Sequence, residues 1–401
     1  MNNKILSVMV SLILPCAAVI ALLLTVPDAF AADTSGKCGD NVSWELDDKG
    51  TLTVSGEGAM TDYVSEGEPV SPFTGLGDAV KAVKIEPGVT SVGDNAFYEC
   101  YNVTGVTLPE GLTRIGESAF YYCRELTEIM VPDSVTEIGR RAFRGCTALE
   151  TIALPDNVAC IGEKAFADTA WYGAQPDGIV YLGKALVAYK GEMPRNTEVT
   201  VADGTLLIAD EAFWSYERMT GLTLPEGLLY VGEDAFYECD GFTELRFPDG
   251  LLTIGERAFY CCGLETVSLP KSLTAIGKAA FKGSDSLKSV FVPTAVTEIG
   301  PEAFPDRTEI RGYEGTCAQR YAVQMGLKFT VVMDDDAPET TTAPEGERAK
   351  LQRRKQTGTV VACVCAGLIG VGAMAGLYIL HRRPVEITIS SSSERRQKDE
   401  E

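Results

Sequence analysis

A repeat of about 23 residues constrains this chain more than any other feature. The anchor Ile-Gly-x-x-Ala-Phe, in which Val can replace Ile, begins at positions 92, 115, 138, 161, 208, 231, 254, 276 and 299, with Ala in place of Gly in the copy at 208. Most starts are 23 residues apart, one gap is 22, and the gap from 161 to 208 is close to two repeats. One such unit cannot bury its own apolar face, so the units must stack.

The apolar positions inside one repeat predict its path. In the unit 115–137, Leu126, Ile129 and Val131 alternate as in a short strand with one buried face. Pro132 lacks an amide donor and ends that strand. Gly116 permits a turn that a side chain would obstruct. Ala-Phe-x-x-Cys predicts a tight turn, with a short helix as one option, and the Phe is the main core residue.

These features predict a mostly β fold. Stacked units form a right-handed solenoid of ~23-residue coils, in which short strands pair in parallel about 4.8 Å apart. We expect caps at both ends and one C-terminal transmembrane helix.

The repeats resemble the BspA-like leucine-rich repeats, whose pattern reads approximately Leu-x-x-Ile-x-Ile-Pro-x-x-Val-x-x-Ile-Gly-x-x-Ala-Phe-x-x-Cys. The resemblance covers about residues 38–332 and recurs in phase, which makes it specific. It implies a curved leucine-rich solenoid on an exported surface protein. Members of that family are associated with adhesion and with binding of host proteins.

Composition shifts along the chain predict seven segments. A basic Lys4, an apolar run and Ala29-Phe30-Ala31 indicate a signal peptide. The predicted segments are a signal peptide (1–32), an N-terminal β-hairpin cap (33–79), the solenoid (80–311, with an irregular hairpin-containing coil at 171–207), a C-terminal cap (312–333), an acidic Pro/Thr spacer with a basic juxtamembrane stretch (334–358), a transmembrane helix (359–380) and a cytoplasmic tail (381–401).

The predicted anchor is a membrane helix. Residues 359–380 are 22 uncharged residues, enough to cross a bilayer core of about 30 Å. The signal peptide places the repeats outside the cell and the tail inside. Arg354 and Lys355 stand where a wall-sorting motif would carry Leu-Pro, so we do not expect covalent attachment to a cell wall.

Composition also excludes several kinds of function. The net charge of −22 argues against nucleic acid as a partner. The single histidine, His381, lies outside the repeats, which removes Ser-His-Asp, Cys-His and His-ligated zinc sites from them. We therefore predict no catalytic residues, no metal ligands and no cofactor.

Two sets of variable positions are candidates for ligand binding. The first follows the repeat Phe and is aromatic in several coils, so it serves either as a binding ridge or as packing between coils; the second lies on the outer strand face. The first set comprises Tyr98, Tyr121, Tyr122, Trp214, Tyr237 and Tyr260, and the second comprises Thr107, Met130, Arg246 and Phe291.

Five cysteines recur three residues after the repeat Phe. They are Cys100, Cys123, Cys146, Cys239 and Cys262. Neighbouring coils are close enough for disulfides, but a column of buried thiols in a small apolar slot is the favoured interpretation. Equivalent positions hold Thr169, Tyr216 and Ser284, so the slot does not require a pair.

The favoured function is non-enzymatic recognition or adhesion at the cell surface. The partner would be a protein or a glycan on a host cell or a neighbouring cell, and the sequence leaves the oligomeric state undetermined. One alternative is a structural envelope protein without a specific ligand. A third is a carbohydrate-active enzyme that uses Asp/Glu pairs, whose separation the sequence does not give.

Overall fold

The computed structural model of the chain describes residues 34–65, 69–76, 78–333 and 387–389. Within them the chain is a mostly β solenoid of about 11 coils of ~23 residues with few helices. The predicted signal peptide, spacer, membrane segment and most of the tail lie outside the described residues. No helix among the described residues has the length and apolar character needed to cross a membrane.

Each regular coil contributes one strand to each of two rows. The proline row contains the strands that precede the repeat Pro or its equivalent, and the glycine row contains those that precede the repeat Gly. The proline row comprises Ala82–Ile85, Gly105–Thr107, Glu128–Met130, Thr151–Ala153, Thr197–Thr200, Met219–Thr223, Glu244–Arg246, Thr266–Ser268, Ser289–Phe291 and Glu309–Gly312. The glycine row comprises Val89–Val92, Arg114–Ile115, Glu137–Ile138, Cys160–Ile161, Leu207–Ile208, Tyr230–Val231, Thr253–Ile254, Ala275–Ile276 and Glu298–Ile299.

Pairing is parallel in both rows, as predicted, but its continuity differs. The glycine row forms two long sheets, one on each side of the irregular coil. The proline row is divided into shorter groups: Gly105–Thr107 and Glu128–Met130 are neighbours in the stack but belong to different sheets. The repeat pattern alone does not predict these divisions, because every coil carries the same strand signal.

The repeat phenylalanines form the centre of the core. Phe97, Phe120 and Phe143 are fully buried, and their rings stack with centroids 5.2 and 5.3 Å apart. A second stack runs through Phe213 and Phe236, with centroids 5.1 Å apart. Burying a side chain of this size contributes roughly 1.5–3 kcal/mol, so each repeat Phe is one of the large apolar contributions to the stability of its coil.

The turn around the repeat Phe is not helical, which corrects the helical option. The residue before Ala-Phe has a left-handed backbone in every coil from Asn95 (φ 53°) to Glu302 (φ 59°). The residue two positions after Phe is also left-handed, for example Tyr122 (φ 58°) and Gly145 (φ 77°). These two bends point alternate amides at the next coil: the Phe97 N–H donates to the Ala119 carbonyl at 2.8 Å.

The repeat Gly is required by the closeness of neighbouring coils. A Cβ atom on Gly139 would lie 2.5 Å from the backbone nitrogen of Glu117 in the preceding coil. The obstruction that the sequence predicted is therefore the backbone of the neighbour. Ala209 stands at the equivalent position, where the preceding chain is the hairpin strand Ala185–Lys190 and not another glycine turn.

The irregular segment replaces one coil with a hairpin. A short helix, Ala170–Gly173, is capped by the Thr169 hydroxyl, and Gly178–Leu182 pairs antiparallel with Ala185–Lys190. The second hairpin strand then pairs in parallel with Leu207–Ile208. The predicted hairpin is confirmed, and it divides the solenoid into an N-terminal block, up to Phe166, and a C-terminal block from Leu207.

Both ends of the solenoid are closed. At the N-terminus Val42–Leu46 and Thr51–Gly56 form the predicted hairpin, flanked by Ser35–Lys37 and Gly58–Ala59, and Trp44 packs edge-on against Phe73 at 5.5 Å. A 3-10 turn covers Thr74–Leu76.

The C-terminal cap contains the second helix. Helix Cys317–Met325 ends at Gly326, a left-handed C-cap with φ 69°. Phe329–Val331 pairs with Glu309–Gly312 on one side and with the short strand Ile387–Ile389 on the other.

Candidate ligand-binding surface

The aromatic positions after the repeat Phe form two separate ridges. The N ridge, defined as Tyr98, Tyr121 and Tyr122, lies in the N-terminal block. The rings of Tyr98 and Tyr121 stack at 5.0 Å with 7° between their planes, and Tyr122 contacts Tyr121 at 4.3 Å. All three side chains are half-buried. This set therefore packs between coils and also presents ring edges to solvent.

Two further residues, Tyr101 and Arg124, lie beside the N ridge and were not among the predicted binding residues. The guanidinium of Arg124 lies 4.7 Å from the centroid of the Tyr101 ring and 5.2 Å from that of the Tyr122 ring. Tyr101 and Arg124 each directly follow the repeat Cys, four residues after the repeat Phe. Comparing this position from coil to coil would have identified both residues from the sequence. The N ridge thus includes its own cation.

The C ridge, defined as Trp214, Tyr237 and Tyr260, lies in the C-terminal block. Tyr237 and Tyr260 stack at 4.9 Å with 3° between their planes, and Trp214 lies 6.2 Å from Tyr237 with its ring tilted by 48°. Trp214 is 50% exposed and is the only exposed aromatic side chain among the described residues. Arg144 and Ala167 follow the repeat Phe in the two coils that precede the irregular segment, so the ridges are separate surfaces.

Carboxylates follow the aromatic residues of the C ridge in two of its coils. Glu238 accepts a hydrogen bond from the Ser215 hydroxyl at 3.0 Å, while Glu217 and Asp240 are exposed. Burial raises the pKa of Tyr237, and the charge of Glu238 raises it further. The C ridge therefore combines an exposed aromatic face with a negative potential.

The strand-face candidates occupy equivalent positions on the proline row. Met130 is 62% exposed and pairs with Ala153, while Arg246 is exposed and pairs with Ser268. Thr107 is exposed, whereas Phe291 is half-buried with its ring edge-on to Tyr313 at 5.9 Å. The irregular coil lies between Thr107 and Met130 on one side and Arg246 and Phe291 on the other, so these four residues do not form one continuous surface.

The repeat cysteines form the buried column that the sequence favoured. The Cys146 thiol lies 3.1 Å from the Phe120 carbonyl of the preceding coil, and Cys239 has the same contact with Phe213. Burial raises the pKa of Cys146 to about 12, so its thiol is a poor nucleophile near neutral pH. The column serves packing and carries no reactive site.

The glycine turns carry the main clusters of opposite charge. Arg114 pairs with Asp62, Asp94 and Glu137, and Arg257 pairs with Glu233, Asp234 and Glu256. These carboxylates are therefore held by guanidinium groups. The described residues include no cluster of His, Cys, Asp and Glu that could hold a metal ion.

One carboxylate pair has divergent pKa values, as acid–base catalysis requires. Burial and the charge of Glu163 raise the pKa of Glu211. Burial also acts to raise the pKa of Glu163, but Lys164, Arg141 and Arg140 outweigh it and lower the net value. Lys164 contacts both carboxylates, and the pair does not border the shallow apolar recess formed by Leu154, Leu182 and Leu206. This arrangement is that of a structural ion pair.

The repeat geometry described above matches a known family. The model of the BspA type leucine rich repeat region matches six copies over residues 73–172 and 207–315, which is more than half of the chain. The chain therefore belongs to the BspA-type leucine-rich repeat family. The unmatched interval coincides with most of the irregular hairpin coil. No curated protein matches the chain.

Several solved bacterial structures are similar to the chain. A leucine-rich repeat protein from Eubacterium ventriosum is 21% identical, covering 68% of this chain and 94% of that one, with a TM-score of 0.34. A leucine rich cell surface protein from Faecalibacterium prausnitzii is 23% identical over 71% and 89% of the two chains, with a TM-score of 0.26. A leucine-rich repeat protein from Bacteroides ovatus is 19% identical over 74% and 99%, with a TM-score of 0.29.

Proposed function

We propose that the chain is a non-enzymatic recognition protein of the cell surface, which binds a protein or a glycan through exposed positions of its solenoid. The observation that carries the proposal is the half-exposed Trp214 at the end of the C ridge. A large aromatic ring left half in solvent contributes only part of its area to folding and is suited to binding, because aromatic side chains supply much of the contact energy in interfaces.

Within each coil, the residues that build the core are separate from the candidate binding residues, and this supports the proposal. The repeat Phe and Cys are fully buried in coil after coil, as Phe120 and Cys123 illustrate, so the recurring residues serve the core. The candidate binding positions on the two ridges and on the strand face, which vary between coils, are exposed or half-buried. Family members are leucine-rich repeat proteins, and the F. prausnitzii neighbour is described as a cell surface protein.

The proposed placement of the protein follows from the segments outside the described residues. Residues 1–32 would direct export, residues 334–358 would serve as a spacer, and residues 359–380 would anchor the chain in the membrane. The solenoid would then be displayed outside the cell.

A binding screen tests the function. The purified full-length chain would be applied to arrays of extracellular-matrix proteins, intact cells and glycans, with a Trp214→Ala variant alongside. We expect a saturable ligand whose binding weakens in the variant. An empty screen would contradict the proposal and favour a structural envelope role, while turnover of an arrayed glycan would revive the enzyme alternative.

A further inference from the structure

The two aromatic ridges differ in the charge that lies beside them. Counted from the repeat Phe, the positions of Tyr101, Tyr122 and Arg124 in the N-terminal block correspond to three carboxylates in the C-terminal block. Those carboxylates are Glu217, Glu238 and Asp240. The aromatic positions themselves are matched, since Tyr98 and Tyr121 correspond to Trp214 and Tyr237.

In the N-terminal block a cation of the same chain occupies this location. The Arg124 guanidinium lies within 5.2 Å of two tyrosine ring centroids, which is within the range of a cation–π contact. The two rings belong to Tyr101 and Tyr122, whose counterparts in the C-terminal block are Glu217 and Glu238, so the location that holds a guanidinium in the N-terminal block is lined by carboxylates in the C-terminal block.

In the C-terminal block the position that corresponds to Arg124 carries Asp240. Within the described part of the chain, Glu217, Glu238 and Asp240 form no ion pair. Arg218, next to Glu217 in sequence, pairs with Glu192, and Lys282, which lies near Tyr260 at the far end of the ridge, pairs with Glu302. The C ridge thus keeps an aromatic face and three carboxylates without a neutralising partner.

The chemistry of this surface selects a cationic ligand. An aromatic ring attracts a cation to its face, and nearby carboxylates strengthen the attraction. Arg suits the surface better than Lys because its planar guanidinium stacks on rings and donates to carboxylates at the same time. The net charge of −22 adds long-range attraction for a basic partner and repulsion for an acidic one.

We propose that the C ridge docks an arginine-bearing, cationic segment of a partner polypeptide, which supplies from outside the group that Arg124 supplies internally to the N ridge. This inference rests on the proposed recognition function and names the partner class for the same surface. Trp214 and Tyr237 would contact the guanidinium, and Glu238 and Asp240 would pair with it.

The test measures binding of a defined probe to the full-length chain. The probe is a synthetic peptide of Arg-Gly-Ser repeats, and its counterpart carries neutral citrulline at every Arg. We expect saturable binding of the Arg peptide only. Trp214→Ala should weaken it about tenfold, as loss of a partly desolvated cation–π contact predicts, whereas Trp214→Phe should retain most of it.

Charge variants separate the site from general attraction. Asp240→Arg should weaken binding by about tenfold or more, because it removes one carboxylate and places a cation where Arg124 lies in the N-terminal block, beside Glu217 and Glu238. Glu226→Arg makes the same charge change at an exposed residue after Pro225, away from the ridge, and should have a small effect. Thermal unfolding of each variant confirms that the fold is intact.

Three results would overturn the inference. They are equal binding of the citrulline peptide, wild-type affinity in a folded Trp214→Ala chain, and equal losses in Asp240→Arg and Glu226→Arg. A different ligand found in the broad screen, with no Arg-peptide binding at the C ridge, would reject this inference and leave the recognition function standing. An empty broad screen together with no Arg-peptide binding would reject both.

Discussion

The N-terminal and C-terminal blocks are built from the same coil but end differently at the hairpin. The N-terminal Phe stack ends at Phe166, whose ring meets Trp171 edge-on at 6.2 Å. The C-terminal stack begins with Phe213, whose ring meets Tyr189 at 6.0 Å. Inside each block the rings stack face to face at 5.0–5.6 Å. The comparison shows that a solenoid can be interrupted without an exposed end, provided that aromatic side chains cover both sides.

The blocks also differ in their surfaces, although their cores are alike. The N ridge has the guanidinium of Arg124 on one of its rings, whereas the C ridge has carboxylates beside it. Because neither set of residues contributes to the buried Phe column, the surface can change from coil to coil at little cost to the fold. Four predictions test this difference between the blocks.

The largest effect should come from the middle of either Phe stack. Phe120→Ala and Phe236→Ala should each lower the free energy of unfolding by about 3–5 kcal/mol, since both rings are fully buried between two others. Phe166→Ala should cost less, because its outer face meets only the edge of Trp171. Urea unfolding of the three variants checks this order, and equal losses would show that the hairpin packs as tightly as a regular coil.

The next effect concerns the contact between glycine turns. Gly139→Ala should cost about 3 kcal/mol, because its Cβ would overlap the backbone of the preceding coil, which cannot move as a side chain can. Ala209→Gly, at the start of the C-terminal block, should cost only about 0.5–1 kcal/mol through chain entropy. Thermal melts of both variants test the claim, which fails if the two changes cost the same.

The third prediction uses pH to probe the cysteine column. Burial raises the pKa of Cys146 to about 12, above the value near 8.5 of an unfolded thiol. The buried thiol form therefore stabilises the folded chain fully below pH 8.5, and that contribution is lost as pH rises toward 12. Cys146→Ala should cost roughly 1 kcal/mol at pH 7.5.

The stability difference between the wild type and this variant should then fall by about 2 kcal/mol between pH 7.5 and pH 10, which is enough to reverse its sign. Urea midpoints of both chains at the two pH values provide the measurement. A constant difference would mean that the thiol does not titrate with unfolding. Cys239→Ala, whose thiol also has a pKa of about 12, gives the matching measurement in the C-terminal block.

The smallest effect should be a gain. Ala279 has a left-handed backbone with φ 52°, a conformation that costs an L-residue about 1 kcal/mol and glycine very little. Ala279→Gly should therefore stabilise the C-terminal block by about 0.5 kcal/mol. The neighbouring Ala280 is fully buried, and Ala280→Gly should destabilise the chain by about 1 kcal/mol. Calorimetry distinguishes the two signs.

Residue patterns predicted much of the solenoid because the core repeats in phase. The Leu126-x-x-Ile129-x-Val131 alternation, the Pro after it and the Gly–Phe anchor each specify a local event that recurs every coil. The hairpin in the irregular coil at 171–207 was also predicted, since turn residues act within a few positions of themselves. The right-handed coil stays a prediction.

The patterns did not predict features that depend on the distance between coils. The left-handed turn residues, such as Asn95 and Ser118, are not glycines, so the sequence does not mark them as left-handed. The hydrogen bond that each of these amides donates to the next coil offsets the conformational cost of the positive φ. Nor could the pattern show that the proline row divides into short sheets.

The sequence by itself determined the coil, its core residues and the family, because those follow from apolar spacing along one chain. Which variable residues become neighbours is visible only in the folded chain. It placed Arg124 on the rings of Tyr101 and Tyr122, and it left Trp214 half in solvent beside Tyr237. The physical reason is that residues 23 positions apart meet only after stacking, so the charge and exposure of each ridge are set between coils.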